Sequence, residues 1–330
     1  MSFNSYSSSS VRLNTFAEAK ALARAMPIEC LTRFGLAKDM PKNSTDNITF
    51  RRVNPFPIAS VLTEGVVPSS RTAVRTNVSV TVAKYGDLVR FSDKEYELSP
   101  EACVTDYSEL CGDQQVETRE SIVWQAIRAG TSVSYANGAA RTAVNTVVTA
   151  DKLNACIRLL EAARTPKVTK KVSTDDSFNT VNVRPGFIAF CHTDCKRDIQ
   201  AITGFLDAKD YGGGSSEKVH DNEFGAFNEI RFVTCPHFDF FASGGGAKGS
   251  MKSTDGTSAD VYSIVIIGEE AYGHVTVRGL KGKMSVILPT QTDSGNPLGQ
   301  FGSVGWTGYF AAIRLNEQRL TRLEVAVTAL

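Results

Sequence analysis

Thr76-Asn77-Val78-Ser79-Val80-Thr81-Val82-Ala83 alternates without a break, with Val78, Val80 and Val82 on one face and Asn77, Ser79 and Thr81 on the other. A period of two is the mark of a half-buried β-strand. Working upstream, the chain from Ile48 to Ser92 is rich in β-branched residues and punctuated by Pro55, Pro57, Gly65 and Pro68. Ile58–Thr63 is extended in character and is expected to pair with Thr76–Ala83, with Glu64–Thr72 as the turn. The product is a hairpin of about 45 residues, large for an element with no core of its own. It needs something to pack on, and the candidate is another subunit.

Downstream, Ser99-Pro100-Glu101 reads as a helix start, with serine as N-cap and proline at the first helical position. Val104, Tyr107 and Cys111 recur at helical spacing, and after Gly112 a new stripe runs through Val116, Val123 and Ile127 to Gly130. The phase change predicts either one long kinked helix, about 45 Å at 1.5 Å per residue, or two helices broken at Gly112. A second helix follows Thr149, with Leu153, Cys156, Ile157 and Leu160 inside and Pro166 ending it. Lys167–Asp176 reads as a polar turn. Gly186–Cys191 reads as a buried strand feeding a short helix with Ile199, Ile202 and Leu206 inside. Tyr211–Ser216 and Ser243–Asp260 read as flexible loops. Glu229–Cys235, Tyr262–Gly268 and Ser285–Leu288 read as strands, and Phe310–Leu315 and Leu320–Ala329 as closing strands with Leu323, Val325 and Val327 alternating. Long helices mixed with non-alternating strands point to an α+β fold.

The 330 residues carry 36 Lys+Arg against 35 Asp+Glu, a net charge of +1, which excludes a domain built mainly to bind nucleic acid. With 42% hydrophobic and 22% charged residues the composition is that of a globular chain. No run reaches the 18–20 apolar residues of a membrane helix, and Met1–Tyr6 lacks the basic and apolar regions of a signal peptide. Seven cysteines, an odd number scattered along the chain, fit reduced buried thiols better than a disulfide framework. The first ten residues are serine-rich and read as a flexible arm. Phe16–Met26 is helix-prone, and between Arg12 and Arg52 eight basic residues face four acidic ones. That bias fits a solvated arm, or one that lies near a polyanion.

Evidence for chemistry is thin. Cys191, His192, Cys195, Cys235 and His237 are zinc-ligand types, so a zinc-dependent enzyme using Cys191, Cys195, Cys235 and His237 is one alternative, yet neither half contains a C-x-x-C knuckle. Gly244–Ser250 imitates a phosphate loop but runs Lys-Gly-Ser where Gly-Lys-Ser is required. Four histidines, at 192, 220, 237 and 274, leave few general bases. No cofactor site and no catalytic residue emerge.

Several strings nevertheless form a pattern. Arg71-Thr72, Val78–Thr81, Lys84-Tyr85-Gly86-Asp87 and Phe91-Ser92-Asp93 together resemble the extended-loop region of major capsid proteins of tailed bacteriophages, in the branch typified by coliphage N-four. Ile127–Val133 with Tyr135–Gly138 is similar to that branch's end-of-helix segment, and Ile267–Gly273 to its late strand and turn. Asn296–Trp306 is similar to its C-terminal signature, and Arg322-Leu323-Glu324 to its ending. The family usually has Asp-Pro where this chain has Asn296-Pro297; Asn and Asp serve similarly in a turn cap.

The resemblance implies the Hong Kong ninety-seven-like coat-protein fold, divided as an N-terminal arm (1–49), an extended β-hairpin loop (50–98), a peripheral domain with a long spine helix (99–183), an axial domain (184–278) and return strands of the peripheral domain (279–330). It implies a non-enzymatic shell protein of the virion capsid, assembled in the host cytoplasm from hexamers and pentamers. Portal, scaffold or decoration proteins and packaged double-stranded DNA would be its partners, with no membrane and no cofactor. Expected inter-subunit residues on the extended loop are Arg71, Arg75, Lys84, Asp87 and Asp93, and expected DNA-facing residues on the arm are Arg12, Lys20 and Arg24. Structural signature positions are Gly130, Thr131, Gly268, Tyr272, Gly273, Asn296, Pro297, Gly299, Gln300, Gly305 and Trp306. The shell of a bacterial cargo compartment, built on the same fold, is a further alternative.

Overall fold

The computed structural model describes residues 29–43, 45–98, 103–172, 180–211, 218–278, 280, 282–290, 292 and 295–329. The expected helix at Phe16–Met26, the cap at Ser99–Glu101 and most of the loop at Tyr211–Ser216 lie outside them. In chain order the strands and helices are β1 (Leu36–Met40), β2 (Asn47–Val53), β3 (Arg75–Thr81), β4 (Ala83–Ser92), α1 (Asp93–Leu98), α2 (Cys103–Arg128), β5 (Val133–Tyr135), α3 (Ala150–Ala162), β6 (Val168–Val172), β7 (Thr180–Cys191), α4 (Lys196–Gln200), β8 (Phe205–Asp207), β9 (Glu223–Phe227), β10 (Ile230–Thr234), β11 (Tyr262–Ile267), β12 (Tyr272–Val277), β13 (Lys283–Ile287), β14 (Phe301–Arg314) and β15 (Leu320–Val325).

An eight-stranded sheet in the order β5-β15-β11-β7-β10-β9-β8, with β6 on β7, carries the main core. Its central strands are apolar on both faces because both are covered. Phe187, Ala189, Ile230, Phe232, Tyr262, Ile264 and Leu323 pack with Leu153, Cys156, Ile157 and Leu160 of α3. From the opposite face Ile188, Phe190, Val233, Val265 and Ile267 meet Val123, Trp124 and Ile127 of α2. Continuous apolar runs are what such two-sided burial requires.

A five-stranded sheet, β1-β12-β14-β13 with β4 on the other edge of β14, forms the second body of strands. α2 bridges the two sheets. It is one helix of 26 residues, about 39 Å long, and it settles the alternative left at Gly112. Cys103 and Cys111 face Phe91, Val304 and Trp306 of the five-stranded sheet, whereas Val123, Trp124 and Ile127 face the eight-stranded one. The stripe changes phase because the helix changes partner, not because it breaks.

The ribbon differs from expectation. Thr76–Ala83 does contain β3, but its partner is β2, with Ile48 opposite Val80 and Phe50 opposite Val78; Ile58–Thr63 forms no strand. Ile48 and Phe50 alternate in phase with Val78 and Val80, so the four share one face. Ile58-Ala59-Ser60-Val61-Leu62 has no alternation, and Pro55 and Pro57 lack the N–H groups a ladder needs. The ribbon's base packs with Met40, Val82, Val275 and Ala311.

Other expectations are corrected too. Lys167–Asp176 includes the strand β6, which pairs with β7. α3 stops before Pro166, with Arg164 in the left-handed region at φ 53°. Leu206 lies in β8, 42% exposed, rather than inside a helix. Ser243–Asp260 is tightly bonded rather than loose: Asp260 Oδ1 accepts from Ser243 N and Thr254 N, and Oδ2 from Thr254 Oγ1.

Candidate assembly surfaces

Beyond the last ribbon pair, Val53 opposite Arg75, the chain from Asn54 to Val74 projects with its apolar side chains in solvent. Ile58 is 94%, Val61 97% and Val67 90% exposed, with Phe56, Leu62, Val66 and Val74 also exposed. Apolar clusters of this kind on a folded chain mark an interaction surface. Arg71 Nη1 donates to Pro57 O across the loop at 3.3 Å.

The five expected contact residues are not gathered in one place. Arg71 belongs to the projection, and Arg75 opens β3 at its base, opposite Val53. Lys84 and Asp87 lie on β4, opposite Tyr309 and Trp306 of β14, and Asp93 opens α1. Asp87 is committed inside the subunit: Gln114 Nε2 donates to Oδ2 at 2.6 Å and Leu88 N to Oδ1 at 2.8 Å. Those two bonds, Gln114's first, hold its carboxyl below the usual carboxylate range. Gln114 Oε1 in turn accepts from Trp306 Nε1 at 2.9 Å. Asp87, Gln114 and Trp306 thus tie β4, α2 and β14 together. Arg12, Lys20 and Arg24 lie outside the described residues.

The signature positions hold junctions of the fold. Gly268 sits where a β-carbon would run into Thr165 Cγ2 and lie 2.8 Å from Pro166 O. Thr131, after α2 and Gly130, donates its N–H to Glu317 Oε2 at 3.2 Å. Tyr272 OH donates to Leu31 O at 2.6 Å, and Gly273 pairs with Leu36 of β1. Gly305, in β14, pairs with Leu88. At the Asn296-Pro297 turn, Asn296 Oδ1 accepts from Gln300 N at 2.8 Å and Nδ2 donates to Phe301 O at 2.7 Å, with Gly299 in the left-handed region at φ 64°. The second bond needs an amide, so Asn and Asp are not equivalent here.

Two polar clusters were invisible in the sequence. Glu120, buried on α2, accepts from the N–H groups of Cys30, Leu31 and Thr32 at 3.2, 2.8 and 3.0 Å and from Thr32 Oγ1 at 2.8 Å. Burial pushes its carboxyl up against those bonds. Glu324, also buried, takes a fork from Arg141 Nε and Nη2, each at 2.8 Å, and lies 3.1 Å from Arg322 Nε. The Arg141 guanidinium stacks 3.4 Å over Phe241. Each pairs residues about 90 or 180 positions apart, and no local pattern marks such a pair.

Cys191, Cys195 and Cys235 are buried, and burial pushes the first two thiols up. His237 is half-exposed, 3.6 Å from Glu117 Oε1. Among the described residues no group of three or more His, Cys, Asp and Glu side chains is placed to hold a metal ion. No helix among them is long and apolar enough to cross a membrane.

A body of two sheets bridged by a long helix, with an apolar ribbon reaching out of it, has its counterparts among solved phage capsids. The fold is similar to the capsid of Ralstonia phage GP4 (10% identity, 97% of this chain and 99% of that one, TM-score 0.62). It is also similar to the head structure of Helicobacter pylori bacteriophage KHP40 (10%, 99% and 98%, TM-score 0.62) and to the capsid of cyanophage P-SCSP1u (15%, 96% and 94%, TM-score 0.57). No curated protein matches the sequence. Residues 75–322 match the model of the phage capsid protein family, and the chain belongs to that family. It is a major capsid protein, a structural component of the icosahedral phage head shell.

Proposed function

We propose that this chain builds the shell of a tailed phage of the N-four type, as hexamers and pentamers in which the ribbon of one copy packs on the next, and that it does so without catalysis. The observation that carries this reading is the run of exposed apolar residues from Phe56 to Val74 on a projection with no core beneath it. Burying an exposed valine or isoleucine contributes roughly 1.5–3 kcal/mol, so even a few such contacts per copy, repeated around a closed shell, favour assembly. Chemistry is not required for it.

The proposed division by chain order is arm 1–49, extended loop 50–98, spine-helix domain 99–183, axial domain 184–278 and return strands 279–330. Strand pairing crosses these limits, because β12 joins the five-stranded sheet and β15 the eight-stranded one. On this reading Arg12, Lys20 and Arg24 meet packaged DNA through phosphate attraction that ignores sequence. Portal, scaffold or decoration proteins are further partners. Ile58→Asp with Val61→Asp, which touches nothing buried, is the test. Sedimentation is expected to show folded, unassembled protein, and shells forming as in the unaltered chain would refute the ribbon's role.

A further inference from the structure

At the root of the ribbon lies a cleft of about 720 Å³ between the ribbon and the body. That size falls within the roughly 300–1,000 Å³ of ordinary binding pockets. Arg52 and Val78, which share one face of the ribbon, line one wall. Ile313 and Arg314 at the end of β14, with Leu315 and Glu317 just after it, line the other. Two of the three charges in the cleft are already matched. Arg314 pairs with Glu317 and donates Nη1 to Ala126 O at 2.6 Å, while Glu317 Oε2 accepts from Thr131 N at 3.2 Å. Arg52 is exposed and has no hydrogen bond or ion pair among the described residues. The cleft is thus a slot with an aliphatic floor and one unmatched cation.

No residue of the same chain's projection between Val53 and Arg75 lines it. The far end of that projection nevertheless has the shape and charge to fit. Thr63-Glu64-Gly65-Val66 is a tight turn, closed by Val66 N donating to Thr63 O at 3.2 Å, with Gly65 in the left-handed region at φ 76°. Glu64 stands at the apex, with the exposed side chains of Leu62, Val66 and Val67 around it. It is the single carboxylate between Asn54 and Val74. A turn with one carboxylate set among aliphatic side chains complements a slot with one cation over an aliphatic floor.

We propose that the ribbon tip of one copy, Leu62–Val67, seats in the root cleft of the next, with Glu64 on Arg52 and the aliphatic tip side chains on Val78, Ile313 and Leu315. This rests on the reading of the chain as a shell protein whose ribbon packs on a neighbour, and it names the place where the ribbon lands. Tip and cleft are different surfaces, so the contact runs head to tail, and repeated about an axis it closes a ring. A hexamer or pentamer needs that closure. The aliphatic contacts supply the burial, and the single ion pair fixes the register of the tip, because charge pairs across an interface govern specificity more than affinity.

A charge exchange in the full-length chain tests the seat. Arg52→Glu and Glu64→Arg each bring like charges together, and the chain carrying both restores an opposite pair in reversed order. Neither side chain has a partner among the described residues, so all three variants are expected to melt within about 2 °C of the natural chain. Sedimentation velocity should show each single variant needing roughly tenfold more protein to assemble, and the doubly altered chain assembling within about threefold of the natural concentration. Arg52→Lys, which keeps the charge, should assemble normally. Carbodiimide treatment of that variant should link position 52 to Glu64, and mixing isotope-labelled with unlabelled chains should give links that join one of each.

Single variants that assemble as the natural chain does, a doubly altered chain no better than either single, or Glu64 linked to a different lysine would overturn the seat. If Ile58→Asp with Val61→Asp still abolished assembly in that case, the ribbon's role would stand and only its landing place would fall. Assembly untouched by every one of these changes would remove both.

Discussion

Glu120 receives four hydrogen bonds from one short stretch of chain, Cys30 to Thr32, and ties that stretch to α2. Glu120→Ala leaves three backbone N–H groups without partners in a buried site. Each such group costs about 1–3 kcal/mol, so a loss of roughly 3 kcal/mol or more in urea unfolding is expected, and a loss under 1 kcal/mol would show that the contact does not hold the segment. Asn296→Asp tests the turn. The carboxylate keeps the bond from Gln300 N but faces Phe301 O without a donor, and a destabilisation of about 1–2 kcal/mol is expected. Asn296 stands out in the sequence as a departure from the family's aspartate, but the direction of its amide does not. Glu120 gives no sign at all, since a lone glutamate within a polar helix stretch looks like any solvated one.

His220 sets a pH dependence. Asn222 N donates to Nδ1 at 3.0 Å, so the proton sits on Nε2 and points at Glu29 O. Burial, helped by the nearby Arg33 charge and opposed by the Glu29 carbonyl and the Asp221 and Glu29 carboxylates, lowers its folded pKa. The unfolded chain therefore takes up this proton first. Stability from His220 is present above about pH 6.5 and is lost as pH falls through the folded value. Between pH 7 and pH 5 the melting temperature of the natural chain should drop by about 2–4 °C more than that of His220→Gln. Equal slopes would place the acid sensitivity elsewhere.

At the scale of elements, α2 shows what a sequence reveals and what it hides. The apolar positions were legible one by one, as was the shift at Gly112. That the shift marks a change of partner became visible only with both sheets in place. A β-carbon at Gly112 would meet nothing within 4 Å, so the glycine is not demanded by packing. Gly112→Ala should stabilise the chain by about 0.5–1 kcal/mol through lost unfolded-state freedom and better helix propensity. A destabilised variant would mean that the helix bends there in the assembled shell. The β3 strand was legible because its alternation is strict. Its partner was misread because pairing is decided by which strand matches it face for face, and β2 lay across the boundary drawn for the arm.

For the whole molecule, α+β character and an outreaching hairpin were readable from periodicity, whereas the exchange of strands between the two sheets was not, since β12 and β15 carry no mark of their partners. The net charge of +1 keeps copies of the chain from repelling one another strongly. The contacts that join them are therefore expected to be chiefly apolar, with only modest dependence on salt. Sedimentation velocity of the full-length chain over a range of concentrations tests the claim that it builds a shell. The account predicts capsomer- or shell-sized particles that grow with concentration, and a single monomeric species at every concentration would contradict it.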